Sequence, residues 1–123
     1  IHDLVKTEGL ESRVTFKGPV PMHELKHVYR EHRLMVNMAS ETIDKTMVEG
    51  MLFGVYPITT KANSEAIGLP ASIEHDDPKE IAEFILSEKW KQYDTPQLAQ
   101  ITKDRHSLSS LVRQMNSYIV SGT

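Results

Sequence analysis

The order of apolar and polar positions predicts a βαβ unit between Leu34 and Thr60. Leu34, Met35, Val36 and Met38 form a short apolar run broken by one Asn, as in a strand covered on both faces. Met47, Val48, Met51 and Leu52 then recur at helical spacing, and Gly54 stands where a helix-terminating glycine belongs. Val55 to Ile58 is apolar again, and Thr59 and Thr60 extend it. Two strands joined through a helix are expected to be parallel, with a right-handed crossover. In such sheets ligands bind beyond the carboxyl ends of the strands, where helix N-termini offer backbone N–H groups to anions. Two carboxylates bracket this place: Glu41 in the turn and Glu49, eight positions on, inside the helix.

The flanking segments read as further α/β elements. Ile1 to Glu8 is a helix end, with Gly9 as terminator and Leu10 docking back. Val14 to Phe16 is a short strand that ends at Gly18 and Pro19. A helix from Pro21 to about His32 carries Met22, Leu25, Val28 and Tyr29 on its apolar face. Lys61 to Pro70 reads as a variable loop and Ala71 to His75 as a strand. Asp77 is placed to cap the next helix, with Pro78 first in it and Glu80 bonding back to the cap's N–H. That helix is expected to reach about Trp90 and to bury Ile81, Phe84 and Ile85. Thr95 and Pro96 open another short helix. Ser107 opens the last, with Leu108, Leu111, Val112, Met115 and Ile119 on one face. There is no internal repeat and no low-complexity segment.

Composition narrows the class. The 123 residues suffice for one domain with a real core, and the net charge of −3 carries no nucleic-acid footprint. No cysteine is present, which excludes disulfides and fits a reducing, cytoplasmic setting. No apolar run approaches the roughly 20 residues of a membrane helix. The chain opens on Ile1 rather than Met and reads as a fragment.

The spacing of the two carboxylates resembles a known pattern. Glu41, seven residues, Glu49, then Gly54-x-x-Pro57-Ile58 after a hydrophobic strand looks like the retaining glycosyltransferases of the two-domain GT-B type (glycosyl transferases group 1). Val14, Phe16 and Gly18 match that family's V-x-F-x-G strand. Glu24, Leu25 and Tyr29 match its E-L-x-x-x-Y helix, and the stretch from Asp76 through Ile85 matches its following helix. The chain departs from the pattern at Gly50, where the family usually has Ala, and at Asp44, where it has Gly. The family's Gly-Gly-x-x-Glu loop appears only as Ala62, Asn63, Ser64 and Glu65.

The resemblance implies a Rossmann-like three-layer α/β/α domain with a parallel sheet, truncated at its N-terminal side. The whole chain, 1–123, would be the C-terminal part of a donor-binding domain. Glu49 would accept the ribose hydroxyls of a nucleotide-sugar, and Glu41 would face the transferred sugar and stabilise charge at its anomeric carbon. Ser40, Thr42, Ile43, Lys45 and Thr46 would contact the donor's diphosphate. No cofactor or metal is implied. The implied partners are the sugar donor and an N-terminal acceptor domain, without which the fragment is expected to be inactive.

Plainer readings stand beside these. Glu49 can be a solvated helix Glu paired with Lys45, worth ~0.3–0.5 kcal/mol. Glu41 can be a loop acid stabilised by a helix dipole, and Asp44 can cap the helix or turn to Lys45. The chain can also be a non-catalytic α/β interaction module, although a scaffold has no need of both carboxylates at this spacing. His23-Glu24-Leu25-Lys26-His27 matches the H-E-x-x-H zinc-hydrolase motif. At ~100° per residue its histidines lie about 160° either side of Leu25 and therefore face solvent. Trp90 and Tyr93, an aromatic pair late in the chain, are expected to pack on the core.

The family's sheet order, 3-2-1-4-5-6, makes Val14–Phe16 the third strand, and Leu34–Met38, Val55–Ile58 and Ala71–His75 the fourth to sixth. The first two strands are not in this chain. Three outcomes follow: Val14–Phe16 pairs directly with Leu34–Met38, another chain fills the gap by self-association at the sheet edge, or the chain is an excerpt of a larger ordered protein. In each, Leu34 should lie beside Val55 and Val55 beside Ala71.

Overall fold

The computed structural model describes residues 1–39 and 43–121 and is a mixed α/β, mostly helical structure with a small parallel sheet. Strand β1 (Leu34–Val36) pairs with β2 (Tyr56–Ile58) in parallel, with Leu34 opposite Tyr56, Met35 opposite Pro57 and Val36 opposite Ile58. The ladder continues past both ends. Tyr56 N–H donates to Arg33 O at 2.8 Å, and Asn37 N–H donates to Ile58 O at 3.0 Å. Helix α3 (Lys45–Leu52) lies between the strands in sequence. The expected βαβ unit is therefore present.

Capping chemistry sets the ends of α3. The Asp44 carboxylate accepts the Thr46 N–H at 2.9 Å and closes the first turn. At the other end Gly54 takes φ +84°; its N–H reaches Met51 O at 3.1 Å, and the Val55 N–H reaches Gly50 O at 3.0 Å. Two amides from the connecting turn thus satisfy the helix's last carbonyls. The same device ends α1 (His2–Thr7), where Gly9 N–H bonds Lys6 O and Leu10 N–H bonds Val5 O. Met47 and Met51 point from α3 into the interior with no exposed surface. Each fully buried side chain of this size contributes about 1.5–3 kcal/mol.

Around this unit sit α2 (Met22–Arg30), α4 (Lys61–Ile67), α5 (Pro78–Ser87), a 3₁₀ turn (Lys89–Gln92), α6 (Thr95–His106) and α7 (Leu108–Ser121). Met51, Tyr56, Ile58, Ile67, Leu69, Ile73 and Leu98 form the core. Helix α6 covers α3 and α4 and supplies Leu98 to this core. Its start is a full capping box, Asp94 bonding the Gln97 N–H at 2.9 Å while the Gln97 side chain returns to the Asp94 N–H at 2.8 Å. Ile81, Phe84 and Ile85 pack against the core, as their spacing predicts, and so do Trp90 and Tyr93, the expected aromatic pair.

Four expectations are corrected. Val14–Phe16 is not a strand and does not pair with β1; Phe16 instead meets the His2 ring edge-on at 3.8 Å between centroids. Ala71–His75 is not a strand beside β2. The edge of β2 turned away from β1 explains this, because its first donor, Val55, is spent on Gly50 and its second position, Pro57, has no N–H. Lys61–Pro70 is not a loop throughout, since α4 occupies Lys61–Ile67 and closes on Gly68 at φ +94°. Its buried face consists of Asn63, Ser64 and Ile67, so a search for apolar periodicity passes over it. Glu80 does not bond back to the Asp77 N–H; it reaches further, to the N–H groups of Glu74 at 2.8 Å and His75 at 3.2 Å.

Helix α7 forms over the expected range, capped by the Ser107 hydroxyl on the Ser110 N–H at 3.1 Å. Its apolar stripe is exposed, from Leu108 at 76% to Ile119 at 63%. It packs on α6, and Ser110 is buried in it.

Candidate functional site

The carboxyl ends of β1 and β2 converge with the starts of α3 and α4, and two asparagines tie them together. Asn37 follows β1 directly. Its Nδ2 donates to Asp44 Oδ2 at 3.0 Å and to Thr46 Oγ1 at 3.2 Å, and its Oδ1 accepts the Ala39 N–H at 3.1 Å. Asn63, buried in α4, donates to Ala39 O at 2.6 Å. Ala39 and Asp44 are therefore each pinned to the body. In the sequence Asn37 interrupts an apolar run. A polar residue closing such a run, just ahead of a helix cap, is the signal that marks it.

The expected site residues separate into three groups. Ser40, Glu41 and Thr42 lie outside the described residues. Ile43 packs its side chain on the hydrophobic core. Lys45, Thr46 and Glu49 are brought together on α3. Thr46 is already engaged, because its N–H and its hydroxyl both donate to Asp44 Oδ1, at 2.9 and 2.8 Å. The Asp44 carboxyl is held below the usual carboxylate range, first by the Asn37 amide and then by Thr46. Asp44 thus acts as the helix cap, and an anion approaching α3 meets its charge at the first turn.

Glu49 sits one turn further along, with its side chain 36% accessible. One oxygen, Oε2, accepts the Tyr29 phenol at 3.3 Å, and the other lies 3.7 Å from Lys45 Nζ. The pairing with Lys45 is the plain helix contact that the spacing allows. The contact with Tyr29, twenty positions earlier in the chain, is long-range and was not legible in the sequence. Tyr29 is 8% exposed, and its ring stacks on Phe53 at 5.9 Å and 10° between planes. Arg30 lies 5.3 Å over the other partner of that stack, Phe53. Burial first, and then the Glu49 carboxylate, push the Tyr29 phenol above its ordinary value of 10.0.

Two recesses lie nearby in the fold. A recess of about 170 Å³ beside β1 is lined by Val28, Tyr29, His32, Leu34, Met35 and Val55. A cleft of about 380 Å³ opens between Ala71–Glu74 and α5, and among the described site residues Ile43, Lys45, Thr46 and Glu49 do not line it. His23 and His27 are both exposed, as their helical positions predict, and His23 lies 3.6 Å from Glu24 within the same motif. Among the described residues no group of three or more His, Cys, Asp or Glu is arranged to hold a metal. No helix among them is long and apolar enough to cross a membrane.

No family model, curated protein or solved structure matches the chain.

Proposed function

We propose that this chain is the C-terminal part of the nucleotide-sugar-binding domain of a retaining, metal-independent GT-B type glycosyltransferase, working in the cytoplasm. The observation that carries the reading is local. A parallel β1–β2 pair is bridged by α3, and α3 carries Glu49, its side chain 36% accessible and eight positions after Glu41, one turn from a helix start that lies beyond the carboxyl end of β1. That is where a parallel sheet binds its ligands. A carboxylate there can accept two vicinal hydroxyls at once through charge-assisted bonds.

In this reading Glu49 takes the ribose, and Glu41 stabilises positive charge at the anomeric carbon of the departing sugar. Ser40, Thr42, Ile43 and Lys45 serve the diphosphate. Thr46 contributes by fixing Asp44, which already occupies its N–H. The three-layer Rossmann-like arrangement would be completed by strands beside the open edge of β1, and the acceptor site would lie on a further domain.

The test is a ligand-observed NMR titration of the chain with the diphosphates of uridine, guanosine and adenosine and with their glucose conjugates. Binding of one nucleotide class, weakened about tenfold or more by Glu49→Ala, is expected. Binding of none, or binding indifferent to Glu49, overturns the reading. A non-catalytic interaction module is the second reading, favoured by the uncovered stripe of α7. It predicts no discrimination among nucleotides.

A further inference from the structure

Glu49 is held asymmetrically. Its Oε2 meets a phenol that belongs to a buried, stacked side chain on α2, while its Oε1 faces an ammonium whose side chain is 86% exposed. The two partners therefore differ in permanence. The Tyr29 ring is buried and stacked on Phe53, so its hydroxyl is held in place while the carboxylate can turn. Lys45 is a flexible surface side chain in a screened i,i+4 pair and leaves at little cost.

We propose that Tyr29 is a positioning residue for Glu49, its phenol fixing the plane of the carboxylate through Oε2 so that Oε1 is offered to a ribose diol once Lys45 turns away to the ligand's phosphates. This rests on Glu49 being the ribose acceptor. The gain lies in preorganisation. A free Glu on a helix surface samples several rotamers and must be ordered by its ligand, at a cost in side-chain entropy. A carboxylate tethered by a buried donor has lost that freedom on folding. Its second oxygen stays accessible because the covering charge is removable.

The pairing predicts selectivity for a 2′,3′-diol, and that selectivity is the measurement. Uridine, guanosine and adenosine diphosphates are each compared with their 2′,3′-dideoxy counterparts by the same titration, in the parent chain, Tyr29→Phe and Glu49→Gln. Tyr29→Phe keeps the ring, its stack and the lining of the recess, and removes only the hydroxyl. The parent is expected to prefer the diol, Glu49→Gln to lose the preference, and Tyr29→Phe to reduce it about five- to tenfold with its thermal midpoint little changed. If Glu49→Gln loses the preference and Tyr29→Phe keeps it, the positioning role fails while the ribose role of Glu49 stands. If the parent shows no preference, both fail together.

A ligand-free measurement stands beside it. The Tyr29 phenol, assigned by its loss in Tyr29→Phe and followed by ¹³C NMR, should titrate at lower pH in Glu49→Gln than in the parent. Burial keeps part of the upward displacement, and the share from Glu49 disappears. An unchanged titration means the two side chains do not meet in solution, and overturns the proposal.

Discussion

The junction between α3 and β2 places the most demanding condition on the sequence, and Gly54 is the residue that meets it. Replacing it by Ala perturbs two things at once. Gly54 has φ +84°, where an L side chain crowds its own backbone at a cost of about 1–2 kcal/mol. A Cβ built there also overlaps Thr95 Oγ1 and lies 3.0 Å from both Thr95 Cβ and Cγ2. Thr95 opens α6, which carries Leu98 into the core, so it has little room to retreat. Overpacking of this kind adds about 1–3 kcal/mol. The sum, about 2–5 kcal/mol, is a large part of the roughly 5–15 kcal/mol that holds a domain together. Urea unfolding followed by far-UV circular dichroism measures it, provided the slope of the transition is unchanged. Thr95→Gly separates the two causes. In that background the overlap is gone and Gly54→Ala should cost only its backbone share, about 1–2 kcal/mol. A Gly54→Ala protein within about 0.5 kcal/mol of the parent would mean that neither the left-handed turn nor the close approach of α6 exists in solution.

Two further outcomes are expected. Gly50→Ala should stabilise by about 0.5 kcal/mol in the same assay. Alanine gains nearly 1 kcal/mol in helix propensity, and its Cβ would lie 3.1 Å from the flexible Met35 Cε, which can yield; a loss above about 1 kcal/mol would show that it cannot. The His75–Glu80 clasp at 2.7 Å should make stability depend on pH. Its Glu80 bond raises the imidazole above 6.5, so that contribution is complete below 6.5 and fades as pH rises through the raised value. The His75 bond, then the Glu74 and His75 amides, lower Glu80 below 4.5, so its contribution is present above 4.5 and fades as pH falls through the lowered value. The difference in thermal midpoint between the parent and His75→Gln should therefore be greatest between 4.5 and 6.5. A difference that does not vary with pH counts against the clasp.

The sequence by itself determined the parts whose causes are local. Gly9 and Gly54 could be read as helix terminators because only glycine takes their backbone angles cheaply, and Asp77 and Ser107 as starts because their side chains reach N–H groups two or three residues on. The parallel β1–β2 pair followed from two apolar runs with a helix between them. Asp44 was legible as a cap, and that Lys45 and Glu49 meet follows from helical spacing alone.

Only the tertiary structure decided the rest. Val14–Phe16 and Ala71–His75 both carry strand-like residues, yet a strand exists only with a partner to pair with, and for Ala71–His75 the far edge of β2 lacks donors because Val55 is bonded to Gly50 and Pro57 has no N–H. Helix α4 buries an asparagine and a serine, which pattern reading assigns to loops. Asn63 is kept inside by its bond to Ala39 O, from a segment that only the fold brings near. The environment of Glu49 has the same origin. Its partner on α3 is written in the spacing of the chain, whereas Tyr29 comes from another helix, and no local rule relates two side chains that meet because both strands and both helices have already packed.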